Sequence, residues 1–223
     1  MNVLVFGATG MIGQGAVREC LAAADVAAVQ TVGRSALGIT HPKVRELVHA
    51  DLWNYAAVES RLAGFDACFF CLGVSSSGMT EADYTRITYD LTLAAATTLV
   101  RLNPAMTFVY VSGVGTDSSE QGRRMWSRVK GRTENSLQKL PFKGPYSFRP
   151  GILQPLNGIQ SRTPAYRVLY TLTAPLLPPL RALFPNQILT TAQMGRAMLN
   201  VARHGWPFAV LEPPDIRRAA ETT

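Results

Sequence analysis

Three glycines carry the chemistry that is easiest to read. They lie in Gly7-Ala8-Thr9-Gly10-Met11-Ile12-Gly13, directly after the apolar run Val3 to Phe6. A buried strand that runs into such a turn, followed by apolar residues at helical spacing (Met11, Ile12, Ala16, Val17, Cys20, Leu21), is the setting of a dinucleotide-binding loop. Gly7 lets the chain turn off the strand. Gly10 clears a side chain from the approach of a pyrophosphate, and Gly13 allows the helix to pack closely. The anion then meets the free N–H groups and positive end of the helix dipole. Thr9, Met11 and Ile12, inside the same loop, are assigned to the cofactor with it.

A second strand, Ala27 to Val32, ends at Gly33-Arg34-Ser35. In dinucleotide folds this position meets the adenosine ribose, and an acid there selects NAD by holding the 2′-hydroxyl. No acid is present. Arg34 offers a permanently charged planar fork for a 2′-phosphate, with Ser35 beside it. NADP is therefore expected over NAD. A third strand, Val44 to Val48, leads to Asp51 and Leu52, which could hold the adenine amino group and ring. Asp51 could equally cap a helix over Trp53 to Leu62.

Phe65 to Gly73 contains Cys68-Phe69-Phe70-Cys71-Leu72, a buried-strand run. Residues three apart on a strand face opposite sides, so Cys68 and Cys71 read as core thiols and not as a redox or metal pair. Gly73 ends the run, where bare backbone could line the nicotinamide side. Ser75-Ser76-Ser77-Gly78 then forms a polar loop at the carboxyl end of the sheet. A long helix is expected from Thr80, with an approximate capping box to Asp83, to Asn103-Pro104. Its buried stripe is expected to be Tyr84, Ile87, Leu91, Ala94, Ala95, Thr98 and Leu99.

Met106 to Ser112 reads as the next strand, Arg123 to Leu140 as a helix and Tyr146 to Gly151 as a sixth strand. The proline-rich apolar segment 155–185 includes a possible helix from Ala165 to Leu177, ahead of Pro178-Pro179. Prolines and Arg181 interrupt it too often for a transmembrane helix. It could cap the substrate end, form a dimer face or touch a membrane surface. Thr191 to Arg203 is a further helix and Phe208 to Leu211 a last strand.

Among the 223 residues, 47% are hydrophobic and 17% charged, enough apolar material for one well-cored domain. Residues 1–223 are read as a single nucleotide-binding domain, with 151–223 as a small portion on the substrate side. The net charge of +7 comes from scattered arginines. It suits a phosphate-rich cofactor, and no nucleic-acid partner is expected. Three cysteines without framework spacing, and a Met1 that leads straight into a strand, predict a cytoplasmic protein.

Taken together, these motifs, with Phe148-Arg149-Pro150-Gly151, resemble the short-chain dehydrogenase/reductase superfamily. The similarity is to its atypical, extended NAD(P)-binding epimerase-like branch, and there to TIP30-like proteins. The resemblance implies an α/β Rossmann-type doubly wound parallel sheet with a small C-terminal extension over the substrate end. It also implies bound NADP(H) and often a homodimer built on long helices. The implied catalytic set is a serine after the fifth strand, here Ser112, and a Tyr-x-x-x-Lys pair on the next helix. The lysine, which holds the ribose hydroxyls and lowers the tyrosine pKa, matches Lys130. The tyrosine position holds Trp126, whose indole has no proton to give near neutral pH. Three readings follow: a reductase or epimerase with its acid elsewhere (Tyr84 and Tyr89 are candidates), a non-catalytic NADP(H)-dependent regulatory or protein-binding module, or a misplaced match. The small-molecule substrate is not legible.

Overall fold

The computed structural model describes residues 1–159, 177–184 and 187–222. Strands β1 (Asn2–Phe6), β2 (Ala28–Gly33), β3 (Val44–Val48), β4 (Ala67–Phe70), β5 (Thr107–Val111), β6 (Gly144–Phe148) and β9 (Val210–Leu211) form one seven-stranded sheet. Its order is β3-β2-β1-β4-β5-β6-β9, and every pairing is parallel. This is the doubly wound α/β fold expected. The strand order reverses between β1 and β4, so the loops after these two strands open a crevice at their carboxyl ends.

Both faces of the sheet are buried, which is why β4 and β5 are apolar without alternation. Val3 and Val5 face a core built with α1 (Met11–Ala22), α6 (Thr191–His204) and α7 (Pro213–Glu221). Leu4 and Phe6 face the other, closed by α3 (Leu91–Leu102) and by Leu137 of α4 (Met125–Gln138). Cys68 belongs to this second core and Cys71 packs against the first, on opposite faces as the strand period requires.

Several local expectations change. The segment after β3 forms only a 3-10 turn, Ala56–Arg61. Asp51 Oδ1 accepts from Trp53 N–H at 3.0 Å and Asn54 Oδ1 from Ala56 N–H at 3.0 Å. Each of these side chains closes a local turn of its own, a backbone arrangement that competes with a helix. Strand β4 stops at Phe70, short of Gly73, although Cys71 N–H extends the ladder to the Phe6 carbonyl at 3.0 Å. The long helix is not uniform: α2 (Glu81–Thr85) passes through a π turn at Arg86–Asp90 before α3. The wider turn moves the buried stripe from Ile87 to Thr88.

Strands β7 (Ile152–Gln154) and β8 (Ile188–Thr190) form a separate parallel pair, and α7 follows β9 behind a reciprocal Glu212–Asp215 cap with Pro213 opening it. Helix α5 (Leu177–Leu183) starts at the prolines expected to stop one, since a first helical turn needs no N–H from them. The expected helix from Ala165 lies almost wholly outside the described residues.

Two close approaches fix the helices that frame the crevice. A Cβ on Gly15 of α1 would lie 2.5 Å from the Thr191 carbonyl oxygen of α6, and one on Gly195 would lie 2.8 Å from the Gly15 oxygen. On the other face, a Cβ on Gly131 of α4 would fall 1.8 Å from the Asp117 carbonyl oxygen. Arg149 anchors α4 further. Its guanidinium donates to Glu134 Oε1 at 3.0 Å and Oε2 at 2.5 Å, to Glu212 Oε1 at 3.1 Å and to Ser118 Oγ at 2.7 Å.

Candidate nucleotide and substrate site

The crevice divides into two parts. The first is an open cleft of about 480 Å³ at the ends of β1 and β2. It is lined by Gly7, Ala8, Thr9, Thr31, Val32, Gly33, Arg34, Ser35, Leu37, Leu52 and Leu72. Gly7 turns the chain with φ +71°, a conformation that disfavours any side chain, and a Cβ there would sit 2.8 Å from the Cys71 carbonyl group and the Leu72 nitrogen. Gly13 packs on the turn itself more than on the sheet. Its Cβ would fall 2.2 Å from the Gly7 oxygen.

Gly10 is the N-cap of α1, and its Cβ would meet only the Gly7 oxygen, at 3.3 Å. No side chain caps α1 and no acid lies in its first turn, so its leading N–H groups face the loop. Together with an exposed Arg34, which makes no ion pair among the described residues, these are features that fit a phosphate-bearing nucleotide. Asp51 is exposed and engaged with Trp53 N–H, while Leu52 is buried beside the cleft. Met11 and Ile12 open α1, and Ile12 packs against the core.

The second part is a groove of about 860 Å³ lined by Val74, Ser75, Ser76, Tyr84, Gly113, Val114, Trp126, Pro150, Gly151 and Ile152. Gly73 lies exposed between the two parts, and Cys71 and Leu72 are half-buried just before it. Trp126 is on the groove wall, its ring 3.4 Å from where a Cβ on Gly115 would stand.

Ser112 and Lys130 are not among the residues that line either part. The Ser112 hydroxyl is 2.9 Å from Thr116 Oγ1, which itself donates to the Gly113 carbonyl at 2.8 Å. The Ser112 proton is therefore the one shared with Thr116. Lys130 Nζ donates to the Val111 carbonyl at 3.3 Å and to Tyr110 Oη at 3.5 Å, and lies 5.2 Å from the Tyr110 ring centroid. Burial pulls its ammonium down to about 8, opposed by the Glu134 carboxylate.

The two alternative tyrosines part company. Tyr84 lines the groove. Tyr89 meets α4 instead, with Oη 3.2 Å from Ser136 Oγ and its ring under Arg132 at 4.3 Å. Sequence reading missed Thr31, a buried polar residue in the cleft, and Thr116, the partner of Ser112. A threonine near the end of β2, where the neighbouring Val29 and Val32 are apolar, was the available signal for the first. Thr116 carried none, since its loop has no period.

Residues 7–139 match the NAD(P)H-binding family. The chain belongs to this family. Curated relatives include the protein FMP52, mitochondrial, of Eremothecium gossypii, 30% identical over 157 residues that cover 69% of this chain and 66% of that protein. Its counterpart in Chaetomium globosum is 27% identical over 67% of this chain and 65% of that protein. The matched region thus spans just under two thirds of the length of these relatives. Solved structures of other proteins share the fold. An oxidoreductase of the short-chain dehydrogenase/reductase family from Burkholderia thailandensis aligns with a TM-score of 0.68 at 18% identity, covering 98% of this chain and 92% of its own. The Bordetella bronchiseptica enzyme WbmF, solved with NAD+, aligns with a TM-score of 0.66 at 16% identity, covering 99% and 76%. The expectation of a cytoplasmic protein is corrected by these relatives: the FMP52 proteins carry the mitochondrial designation in their names. The residues around Met1, on which that expectation partly rested, are a weak guide to compartment.

Proposed function

We propose that this protein binds NADP(H) and is an oxidoreductase-like protein of reductase or epimerase type, with Trp126 in place of the usual proton-donating tyrosine. The observation that carries the reading is the first cleft: a glycine turn, an uncapped helix N-terminus and Arg34 with no acid at the end of β2. Gly7, Thr9, Gly10, Met11, Ile12 and Gly13 would hold the pyrophosphate, and Arg34 and Ser35 the 2′-phosphate. Asp51 and Leu52 would face the adenine, and Cys71, Leu72 and Gly73 the nicotinamide side. Lys130 would serve the ribose hydroxyls.

The bound cofactor would supply or accept a hydride. Ser112 would release Thr116 to donate to a substrate oxygen. Trp126 narrows the groove where that oxygen would lie. The mitochondrial names of the FMP52 relatives support a mitochondrial setting, and the motif resemblance supports kinship with TIP30-like proteins and a homodimer.

A second reading, a non-catalytic NADP(H)-dependent regulatory or protein-binding module, is favoured by Trp126 itself. Parallel titration with NADPH and NADH, read by tryptophan fluorescence, tests the shared premise. Tight NADPH and weak NADH binding supports both readings, and binding of neither overturns both. NADPH oxidation with a panel of carbonyl compounds then separates them.

A further inference from the structure

We propose that Tyr84 is the proton donor of this site, replacing the tyrosine whose position Trp126 holds; the inference rests on the reductase reading above. Among the two candidate tyrosines, only Tyr84 borders the groove, which it shares with Trp126, Gly113 and Ser76. Tyr89 is committed to Ser136 and Arg132.

The local structure places Tyr84 there. Thr80 Oγ1 accepts from Asp83 N–H at 3.2 Å, fixing the start of α2, and the π turn at Arg86–Asp90 follows one residue after Thr85. Such an insertion rotates the residues before it relative to those after it, so α2 can aim Tyr84 at the groove while α3 keeps its core stripe. Inserted turns of this kind recur at functional sites. Tyr84 is buried, with 2% of its surface exposed, and burial raises its pKa, with the Thr88 hydroxyl opposing. A phenol in that state is fully protonated at neutral pH, as a proton donor must be. Tyr110, which accepts from Lys130 Nζ, is near enough for a charge on Tyr84 to be felt there.

In a reduction, a bound reduced nicotinamide would supply the hydride to the carbonyl carbon, and Tyr84 would give its proton to the carbonyl oxygen. The C=O π bond would break to give an alcohol, with the cofactor oxidised in balance, and the Tyr84 phenolate would recover its proton from water in the open groove.

The test begins without turnover. Tyrosine ionisation is followed by ultraviolet difference absorbance in wild type, Tyr84→Phe and Tyr89→Phe, each alone, with NADP+ and with NADPH. The positive ring of NADP+ beside Tyr84 should lower one phenol transition by about one pH unit. NADPH should not, and only Tyr84→Phe should remove the response. If Tyr84→Phe does not fold, the same one-tyrosine response is read in wild type against Tyr89→Phe. Turnover of Tyr84→Phe should fall by about 10²–10⁴-fold with NADPH affinity unchanged. Unchanged turnover, or no NADP+-dependent transition in a protein that binds NADP+, overturns the role of Tyr84 alone. Failure to bind either cofactor, or binding without any carbonyl reduction by wild type, overturns the reductase reading and this role with it.

Discussion

Gly13 and Gly7 touch through bare backbone: a methyl group on Gly13 would begin 2.2 Å from the Gly7 carbonyl oxygen, whereas one on Gly10 would stand 3.3 Å from the same atom. Two alanine substitutions in one loop should therefore behave differently. Gly13→Ala must displace the turn and should cost about 1–3 kcal/mol by urea denaturation. Gly10→Ala should cost under about 1 kcal/mol, yet weaken NADPH binding at least about tenfold, because its Cβ points where a pyrophosphate would approach. Equal stability losses would remove the distinction.

Arg34 stands exposed at the end of β2 without an ion pair among the described residues. Arg34→Ala should lower NADPH affinity by about 10–100-fold, the value of a charged hydrogen bond of roughly 1.5–3 kcal/mol, and leave NADH nearly unchanged. The NADPH Kd should also rise with salt in wild type more steeply than in the variant. A parallel loss for both cofactors would place Arg34 outside the 2′-phosphate site.

Lys130 has its pKa pulled down to about 8 by burial, so its ammonium is a destabilising guest at pH 7. Lys130→Met should unfold at a higher temperature than wild type at pH 7. Between about pH 8 and the ordinary lysine value of 10.5, the unfolded wild type binds more protons than the folded protein. Wild-type stability therefore gains on the variant with rising pH there, and the gap closes. NADPH affinity in wild type should weaken above about pH 8 as the charge is lost, and Lys130→Met should lose that dependence. A gap constant from pH 7 to 10.5 would show that burial does not hold the Lys130 ammonium down.

Cys20, with its pKa pushed up to about 12, and Cys68 and Cys71, raised further by burial, stay protonated in the folded protein. In the unfolded chain thiols ionise near about pH 8.5. Above that point the folded state holds more protons, so stability falls by about 1.4 kcal/mol per pH unit for each thiol. Cys20→Ala should shallow that slope by one proton, measured by denaturation from pH 8 to 10. An unchanged slope would mean that Cys20 is open to solvent.

Trp126→Tyr restores a phenol one helical turn before Lys130. The variant should show at least about tenfold faster NADPH oxidation with carbonyl compounds, a modest part of what general acid catalysis can give. No gain across a panel that wild type reduces would leave Trp126 as a packing residue against Gly115.

The doubly wound parallel sheet was legible because a strand buried on both faces is an apolar run bounded by glycine or polar turns, and β1, β4 and β5 are of that kind. The glycine loop was legible for a similar reason: each glycine has a separate steric duty. The β7–β8 pair was not, since three residues give no period. Helix α7 could have been found from Glu212-Pro213-Pro214-Asp215, which reads as a capped start. The π turn after Tyr84 left no mark in a periodicity that assumes 3.6 residues per turn. The seating of Ser112 on Thr116 depends on where a loop brings two hydroxyls, which neither spacing nor composition records.

The contact of Gly15 with Thr191 and Gly195 makes the underside of α1 part of the chain's last third. With no Cβ between them, α1 and α6 behave as one stiff plate, and the glycine loop is mounted on its edge. Truncating the chain before Thr191 would leave that loop intact in sequence but unsupported, and affinity for a dinucleotide would report on a segment that never touches it.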